Sequence, residues 1–299
     1  MHKNKSSIIT RRQFLKSSAL GVSAIGLGVS SISASVINNE NRKFLIRFDT
    51  ESRQKEKMKG FFEKIVSTQR EYDIPISFFC LGAAIELRES EFKEFYQQIK
   101  NDPLFDIQDH SYSHVGLGYE NGKSIEDLRA DYEKSFSVHE RVFGRRPVGV
   151  SLCGTGGRDG RLVCGFDANE KSRAELDMLA KLGVKIVNTS LCNNDSTEEF
   201  VNYGKIGHPE IMGFPNGLSD SGWLRRSKYG EPMEFIKSQI EEKARLNKHM
   251  AIMFHDSAQW SDTNDKEFIN LRTIANFAKT NGYELITHVE CYNRKELWH

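Results

Sequence analysis

The sequence lacks several features that would assign it at once to a class of protein. Its 42 Lys and Arg residues against 41 Asp and Glu leave a formal net charge of +1, so the basic excess typical of proteins that bind nucleic acid or anionic membranes is missing. Its five cysteines include no C-x-x-C pair, which argues against a zinc finger. No G-x-G-x-x-G follows an apolar run, which argues against a dinucleotide-binding sheet.

The N-terminal region lacks a hydrophobic run long enough for a confident membrane span. The stretch 19–32 is short and rich in Gly, Ala and Ser, whereas a span needs about 20 mostly apolar residues. Before it stands "TRRQFLK", with Arg11 and Arg12 in tandem. This order of basic, moderately apolar and small residues resembles a twin-arginine signal peptide. We therefore predict a signal over 1–35, a short linker over 36–42, and export through the twin-arginine machinery to the periplasm, the cell envelope or the medium of a bacterium.

From residue 43 onward, short apolar runs alternate with amphipathic helical patterns. The strand-like runs are "KFLIRF", "ISFFCL", "FDIQ", "VGVSL", "VKIVNTS", "EIMGF", "MAIMF" and "YELIT". Helices are predicted over the segment 124–143, which Ser124 and Asp127 open as a capping box, and over 53–72, 84–100, 168–182, 232–247 and 264–281. This alternation favours parallel strands with helices outside. Seven or eight such units over 43–299 predict an α/β fold of the (β/α) barrel type, with a doubly wound sheet as the alternative.

Polar residues end three of the strand-like runs, where the catalytic residues of a barrel gather. "RFDTE" contains Asp49 and Glu51, "DIQDHSYSH" contains His110 and His114, and "MAIMFHD" contains His255. Two histidines four residues apart face the same way on a helical turn, so both can reach one cation. Two imidazoles and a carboxylate form a catalytic zinc set, a second carboxylate can accept a proton, and a separate histidine can donate one. Taken singly, each feature also fits a solvated loop, a helix cap or a buried histidine.

Together these motifs resemble those of the polysaccharide deacetylase family. "RFDTE" stands where the family has T-F-D-D-G, "IPISFFCLG" is similar to its A-T-F-F-x-x-G strand, and "DIQDHSYSH" is similar to its histidine motif. The likeness spans about residues 43–290. It implies a distorted (β/α) barrel that removes N- or O-acetyl groups from a glycan. It also implies a divalent metal, with zinc expected first and cobalt or nickel as alternatives.

The resemblance assigns roles residue by residue. Asp49 takes the position of the general base, and His255 takes that of the general acid. His110 and His114 take the positions of metal ligands. The usual second Asp of the first motif falls on Thr50, which lacks a carboxylate.

Glu51 is therefore the favoured third metal ligand, as in relatives that carry D-x-E. Strand alternation supports this choice, because residues 49 and 51 project to the same side while Thr50 projects to the other.

A second departure lies in "FGRRPVGVSLCGTGG", where the family has an arginine that orients the catalytic Asp. Ser151 occupies that position, and Arg145, Arg146 and Arg158 are the nearby arginines. Backbone N–H groups around Gly154 remain available to an oxyanion, since glycine permits close approach.

The fourth motif also departs from the family, because "SLCNND" lacks the usual Trp. The resemblance places Asp195 at the substrate pocket. Trp223 or Trp260 can line the cleft instead, although a buried core position is the favoured interpretation of either Trp taken alone.

Two other functions remain open. Some relatives of this fold hydrolyse small cyclic ureides, so a non-glycan amide is an alternative substrate. The altered first and third motifs also allow a barrel that binds glycan without turning it over.

Overall fold

The computed structural model describes residues 42–117, 122–153, 170–189, 200–215, 217–220 and 231–295. Its strands are β1 (Lys43–Thr50), β2 (Ile76–Cys80), β3 (Phe105–Asp109), β4 (Gly149–Ser151), β5 (Ile186–Thr189), β6 (Val201–Asn202), β7 (Met212–Pro215), β8 (Leu218–Ser219), β9 (Met250–His255) and β10 (Glu284–Ile286). Its helices are α1 (Lys55–Met58), α2 (Phe61–Tyr72), α3 (Gly82–Leu87), α4 (Glu89–Ile99), α5 (Ile125–Phe143), α6 (Glu170–Lys181), α7 (Pro232–Arg245), α8 (Ile269–Thr280) and α9 (His288–Arg294). A 3₁₀ turn at Tyr203–Ile206 and a π-helical turn at Ala258–Asp262 complete the described elements.

All these strands belong to one sheet, in the order β6-β7-β5-β4-β3-β2-β1-β9-β8. Neighbours are parallel except for the antiparallel pair of β6 and β7. Strand β10 pairs with the first residues of β1, whereas β2 pairs with the last residues of the same strand. Among the described strands, β6 and β8 end the order without pairing with each other, so the barrel is open at this point. The predicted distorted (β/α) barrel is confirmed.

The two faces of β1 show how this sheet is packed. Phe44, Ile46 and Phe48 project outward into the large core between strands and helices. The ring of Phe48 stacks on that of Phe254 in β9, with centroids 5.1 Å apart. Leu45 projects to the opposite face, into a smaller inner cluster. Since side chains alternate along a strand, Arg47 and Asp49 share this inner face, so the barrel interior is polar towards the carboxyl end of β1.

The eight strand-like runs all contain strands, whereas two predicted helices are interrupted. Gly60, with a φ of 81°, separates α1 from α2, and Arg88 separates α3 from α4. The capping box at Ser124 and Asp127 is present. No helix within the described ranges is long and apolar enough to cross a membrane.

Candidate active site

Two carboxylates stand at the carboxyl end of β1. In the sheet register Asp49 lies between Phe79 of β2 and His255 of β9, and it is only 2% exposed. Glu51 follows the last residue of β1, and 28% of its side chain is exposed. One carboxylate is thus enclosed by the sheet, while the other is accessible from the end of the barrel.

The two histidines that follow β3 meet at Glu51. The Nε2 atom of His110 lies 2.8 Å from Glu51 Oε1, and the Nε2 atom of His114 lies 3.2 Å from the same oxygen. The imidazole rings are inclined at 72°, with centroids 5.0 Å apart. The three residues predicted to bind metal therefore converge.

The chain between these histidines is an irregular turn, so the expected helical turn is wrong. Ser111 and His114 have φ values of 59° and 69°, which an α-helix does not contain. Asp109 Oδ2 accepts a hydrogen bond from the Ser111 N–H at 2.7 Å, and Asp131 Oδ1 accepts one from the Tyr112 N–H at 2.8 Å. These carboxylates hold the turn that brings the two imidazoles together.

Hydrogen bonding sets the ionisation of Glu51 and the orientation of His110. Burial opposes the ionisation of Glu51, but the hydrogen bonds and charges of His110 and His114 outweigh it and hold its pKa far below the usual range. His110 Nδ1 is hydrogen-bonded to Ser151 Oγ, which leaves Nε2 directed at Glu51. An ionised carboxylate between two imidazole Nε2 atoms is a donor set that fits a divalent metal, and the serine supplies the outer hydrogen bond that such ligands usually have.

Thr50 does not take part in this convergence. It is fully buried, and its hydroxyl lies 3.4 Å from the carbonyl oxygen of Phe48 in its own strand. The structure therefore has the alternation of side chains along β1 that favoured Glu51 over Thr50 as the third metal ligand.

His255, at the end of β9, is bound to a carboxylate that the sequence analysis missed. Its Nδ1 lies 2.6 Å from Asp220 Oδ1, and its N–H donates to Asp220 Oδ2 at 2.8 Å. Gln259 donates to Asp220 Oδ2 as well, at 3.1 Å. Burial lowers the pKa of His255, but the hydrogen bond and charge of Asp220, followed by the charges of Asp49 and Glu51, raise it to about 9.

His255 also closes the site. One ligand atom from each of Asp49, Glu51 and His255 lies within 4.8 Å of the others, so the residues predicted as base, metal ligand and acid face one small volume.

Comparison with known proteins agrees with this geometry. Residues 37–164 match the profile of the polysaccharide deacetylase family. This match, over less than half of the chain, supports the resemblance to that family that the sequence motifs carry. A search of curated proteins found no match, whereas solved structures share the fold. One is a Mycobacterium smegmatis protein assigned to the polysaccharide deacetylases, with 13% identity and a TM-score of 0.63 over 85% of this chain and 91% of that one.

Two further structures share the deacetylase fold at similarly low identity. A peptidoglycan N-acetylglucosamine deacetylase has 16% identity and a TM-score of 0.51, over 84% of this chain and 88% of that one. A pseudoenzyme of carbohydrate esterase family 4 from Bacillus anthracis has 11% identity and a TM-score of 0.50, over 85% of this chain and 66% of that one. These likenesses establish the barrel and leave the chemistry to the residues of this site.

The surroundings of Asp49 differ from the deacetylase pattern. Ser151, which stands in the place of the family arginine, donates to Asp49 Oδ1 at 3.3 Å. Arg47, which the sequence analysis did not consider, donates to Asp49 Oδ2 at 3.0 Å. Arg145 donates instead to the carbonyl of Ile107, away from Asp49.

No described contact links the other two arginines near the third motif to Asp49. The Nε of Arg146 lies 3.7 Å from Glu140 on α5, and Arg158 lies outside the described residues.

The predicted substrate-binding residues divide between the core and the undescribed part of the chain. Trp260 is 6% exposed and packs edge-on to Phe61 and stacked on Phe268, so the structure places it in the core instead of a cleft. Gly154, Asp195 and Trp223 lie outside the described residues, as does the predicted signal 1–35.

One thiol also lies beside the histidines. Cys153 is buried, and its Sγ donates to the His110 carbonyl oxygen at 3.3 Å. It forms a second set of three ligand atoms with His110 and His114, within 4.8 Å of one another.

Proposed function

We propose that this protein is a metal-dependent deacetylase that hydrolyses N- or O-acetyl groups on a glycan. The observation that carries the proposal is the convergence of Glu51, His110 and His114 beside a buried Asp49 and an Asp-bound His255. A ligand set, a base and an acid at one point are the parts that metal-assisted hydrolysis of an acyl group requires.

Glu51, His110 and His114 would hold the metal, and the mixture of nitrogen and carboxylate ligands favours zinc, with cobalt or nickel as alternatives. When bound, a divalent metal supplies Lewis-acid polarisation of the acetyl carbonyl and lowers the pKa of water. The chain itself supplies the proton transfers.

Asp49 accepts a proton from the water whose oxygen bonds to the acetyl carbon. The C–N or C–O bond to the sugar then breaks, and His255 donates its proton to the departing nitrogen or oxygen. Acetate and the deacetylated sugar are the products. Asp220 supports this step, because its contact with Nδ1 keeps His255 protonated and aims Nε2 away from it.

Acetate release from a panel of substrates tests the proposal. The panel contains acetylated glucosamine oligomers, acetylated xylan and small amides, each assayed with native protein, with chelated protein, and after return of zinc, cobalt or nickel. We expect release from an acetylated glycan that the chelator abolishes and a metal restores. Release from small amides alone would transfer the proposal to the non-glycan alternative.

Two variants link this activity to the site. Asp49→Asn should abolish turnover while the protein keeps its metal, and His110→Ala should lose the metal. Stoichiometric metal with full activity in His110→Ala contradicts the ligand assignment. If the metal-loaded protein binds glycan but releases no acetate from any substrate, the glycan-binding alternative is correct.

We further propose export through the twin-arginine pathway. The support is "TRRQFLK" at the start of 1–35. Replacing Arg11 and Arg12 with lysines should retain the protein in the cytoplasm of an expressing bacterium, as fractionation followed by immunoblotting would show; unchanged export would contradict it.

A further inference from the structure

The geometry points to Arg47 as the positioning residue of Asp49, an inference that rests on the proposed function. Arg47 Nη2 lies 3.0 Å from Asp49 Oδ2, and the two side chains are 2% and 3% exposed. Across the described ranges, no other arginine or lysine lies within ion-pair distance of this carboxylate. Among the arginines and lysines of these ranges, Arg47 is therefore the one buried counter-charge of the base, and it comes from the same strand two residues earlier.

The packing of Arg47 shows how this strand can provide that charge. Residues 47 and 49 project from the same face of β1, so a long side chain at 47 can lie along the strand towards 49. The guanidinium carbon lies 5.8 Å from the ring centroid of Phe79 in β2, and Nη2 contacts Met253 Sδ in β9. The flanking strands thus enclose the guanidinium and restrict its orientation.

The two oxygens of Asp49 have separate donors. Ser151 on β4 donates to Oδ1 at 3.3 Å, and Arg47 on β1 donates to Oδ2 at 3.0 Å. Donors from two strands fix the plane of the carboxylate. His110 Nε2 is 3.9 Å from Oδ2, which is beyond hydrogen-bond distance. Asp49 is therefore oriented by its neighbours and retains lone pairs for a proton from water.

The ion pair is also the main polar contact of Arg47. Its Nε and Nη1 atoms are buried and have no hydrogen-bond partner in the part of the chain that the structure describes. A buried guanidinium is unfavourable unless it is paired, and apolar side chains of similar volume serve packing at least as well. Its value at this position is therefore the charge and the hydrogen bond that it gives to Asp49.

Three variants test the inference. Arg47→Met keeps much of the volume and removes the charge; Arg47→Lys keeps a charge without the planar guanidinium; Arg70→Met is the control, because it removes an arginine that pairs with Asp102 at an exposed position. Acetate release gives kcat and KM, metal analysis gives occupancy, and circular dichroism reports folding.

We expect kcat of Arg47→Met to fall by about 100-fold or more, with KM within about threefold, since a misdirected base affects turnover more than binding. Arg47→Lys should recover part of kcat, and Arg70→Met should match the wild type. All variants should bind the wild-type amount of metal. A folded, metal-loaded Arg47→Met with kcat within about threefold of the wild type overturns the inference.

Two further measurements keep the test decisive. If Arg47→Met does not fold, Arg47→Lys replaces it, and a kcat equal to that of the wild type overturns the inference. Any trace of activity that a sensitive assay still detects in Asp49→Asn should fall no further when Arg47→Lys is added, whereas a full additional loss would assign Arg47 a role independent of Asp49. An inactive wild-type protein would instead reject the proposed function itself, so the two failures are distinguishable.

Discussion

Replacing Asp220 with asparagine removes the negative charge that lies 2.6 Å from His255 Nδ1. The amide keeps the size of the side chain and can still bind the His255 N–H through its oxygen. It presents no charge to the imidazole, and its NH₂ group faces Nδ1 if its oxygen binds the backbone. We therefore expect His255 to lose both protonation and the orientation that directs its proton at the leaving group.

The loss can be estimated from the pKa of His255. With a pKa of about 9, the imidazole is ~97% protonated at pH 7.5, whereas at the ordinary value it would be ~10% protonated. Loss of the Asp220 charge thus lowers the protonated fraction of His255 by at most about tenfold. The decrease is smaller than that limit because the charges of Asp49 and Glu51 still raise the pKa. General acid catalysis contributes about 10²- to 10⁴-fold in all. We expect kcat of Asp220→Asn to fall by about 10²- to 10³-fold, with the misdirected imidazole accounting for the remainder.

The pH profile distinguishes this account from simple damage. Because the pKa of His255 is raised, the protonated acid is lost only as pH rises through about 9 in the wild type; in Asp220→Asn that loss should begin nearer neutral pH. The assay is kcat for acetate release between pH 6 and 10, with metal content measured alongside. Asp102→Asn, at a partly exposed carboxylate that pairs with Arg70, is the control and should leave the profile unchanged. A variant with nearly full kcat and an unmoved basic limb would refute the reasoning.

Three other predictions, which use four substitutions, test the metal site and the fold. Glu51→Gln should weaken metal affinity by at least about tenfold, measured by competition with a chromogenic chelator, while Thr50→Val should retain it; equal affinities would remove Glu51 from the ligand set. Phe48→Ala should lower the free energy of unfolding in urea by about 3–5 kcal/mol, since Phe48 is fully buried among aromatic rings; a loss below about 1 kcal/mol would mean that the core readjusts. Burial and, secondarily, the charge of Arg47 hold the pKa of His288 well below 6.5, so this histidine favours the folded state above pH 6.5 and loses that contribution as pH falls. The free energy of unfolding should therefore drop by up to about 1.4 kcal/mol per pH unit below pH 6.5. The variant His288→Asn should flatten this pH dependence.

The strands were predictable because a parallel barrel buries both faces of each strand. Strands buried on both faces are nearly continuous apolar runs, such as "KFLIRF" and "MAIMF", which the sequence shows directly. The two-residue strands β6 and β8 have no such run, since their residues are only half-buried. The first predicted helix is interrupted where Gly60 adopts a left-handed φ of 81°, beside the indole of Trp260, which lies 3.5 Å from where a Cβ would stand. Periodicity along one segment does not contain that contact.

The candidate site likewise contains residues that the sequence predicts and residues that only the structure reveals. Glu51, His110, His114 and His255 end strand-like runs, so residue type and position identified them. Asp220 lies beyond a two-residue strand, and its role depends on a contact with His255, 35 residues away in the chain.

Arg47 was missed for a different reason. It lies inside an apolar run, and the sequence alone does not indicate that its charge is buried beside Asp49. Only packing in three dimensions shows that the guanidinium is enclosed between Phe79 and Met253.

Because Glu51 follows β1 instead of ending it, the proposed metal site requires the chain at residues 51–52 to be held in place. Asp256, the neighbour of His255, provides this: its Oδ1 accepts from the Glu51 N–H at 3.3 Å, and its Oδ2 accepts from the Ser52 N–H at 3.2 Å. Arg88 donates to the Ser52 carbonyl at 2.9 Å from the other side. Burial raises the pKa of Asp256 to about 6, although these backbone hydrogen bonds and the charge of Arg88 oppose the rise. The strand that ends in His255 therefore also fixes the loop that carries Glu51, so the two halves of the proposed site are joined through hydrogen bonds to the backbone.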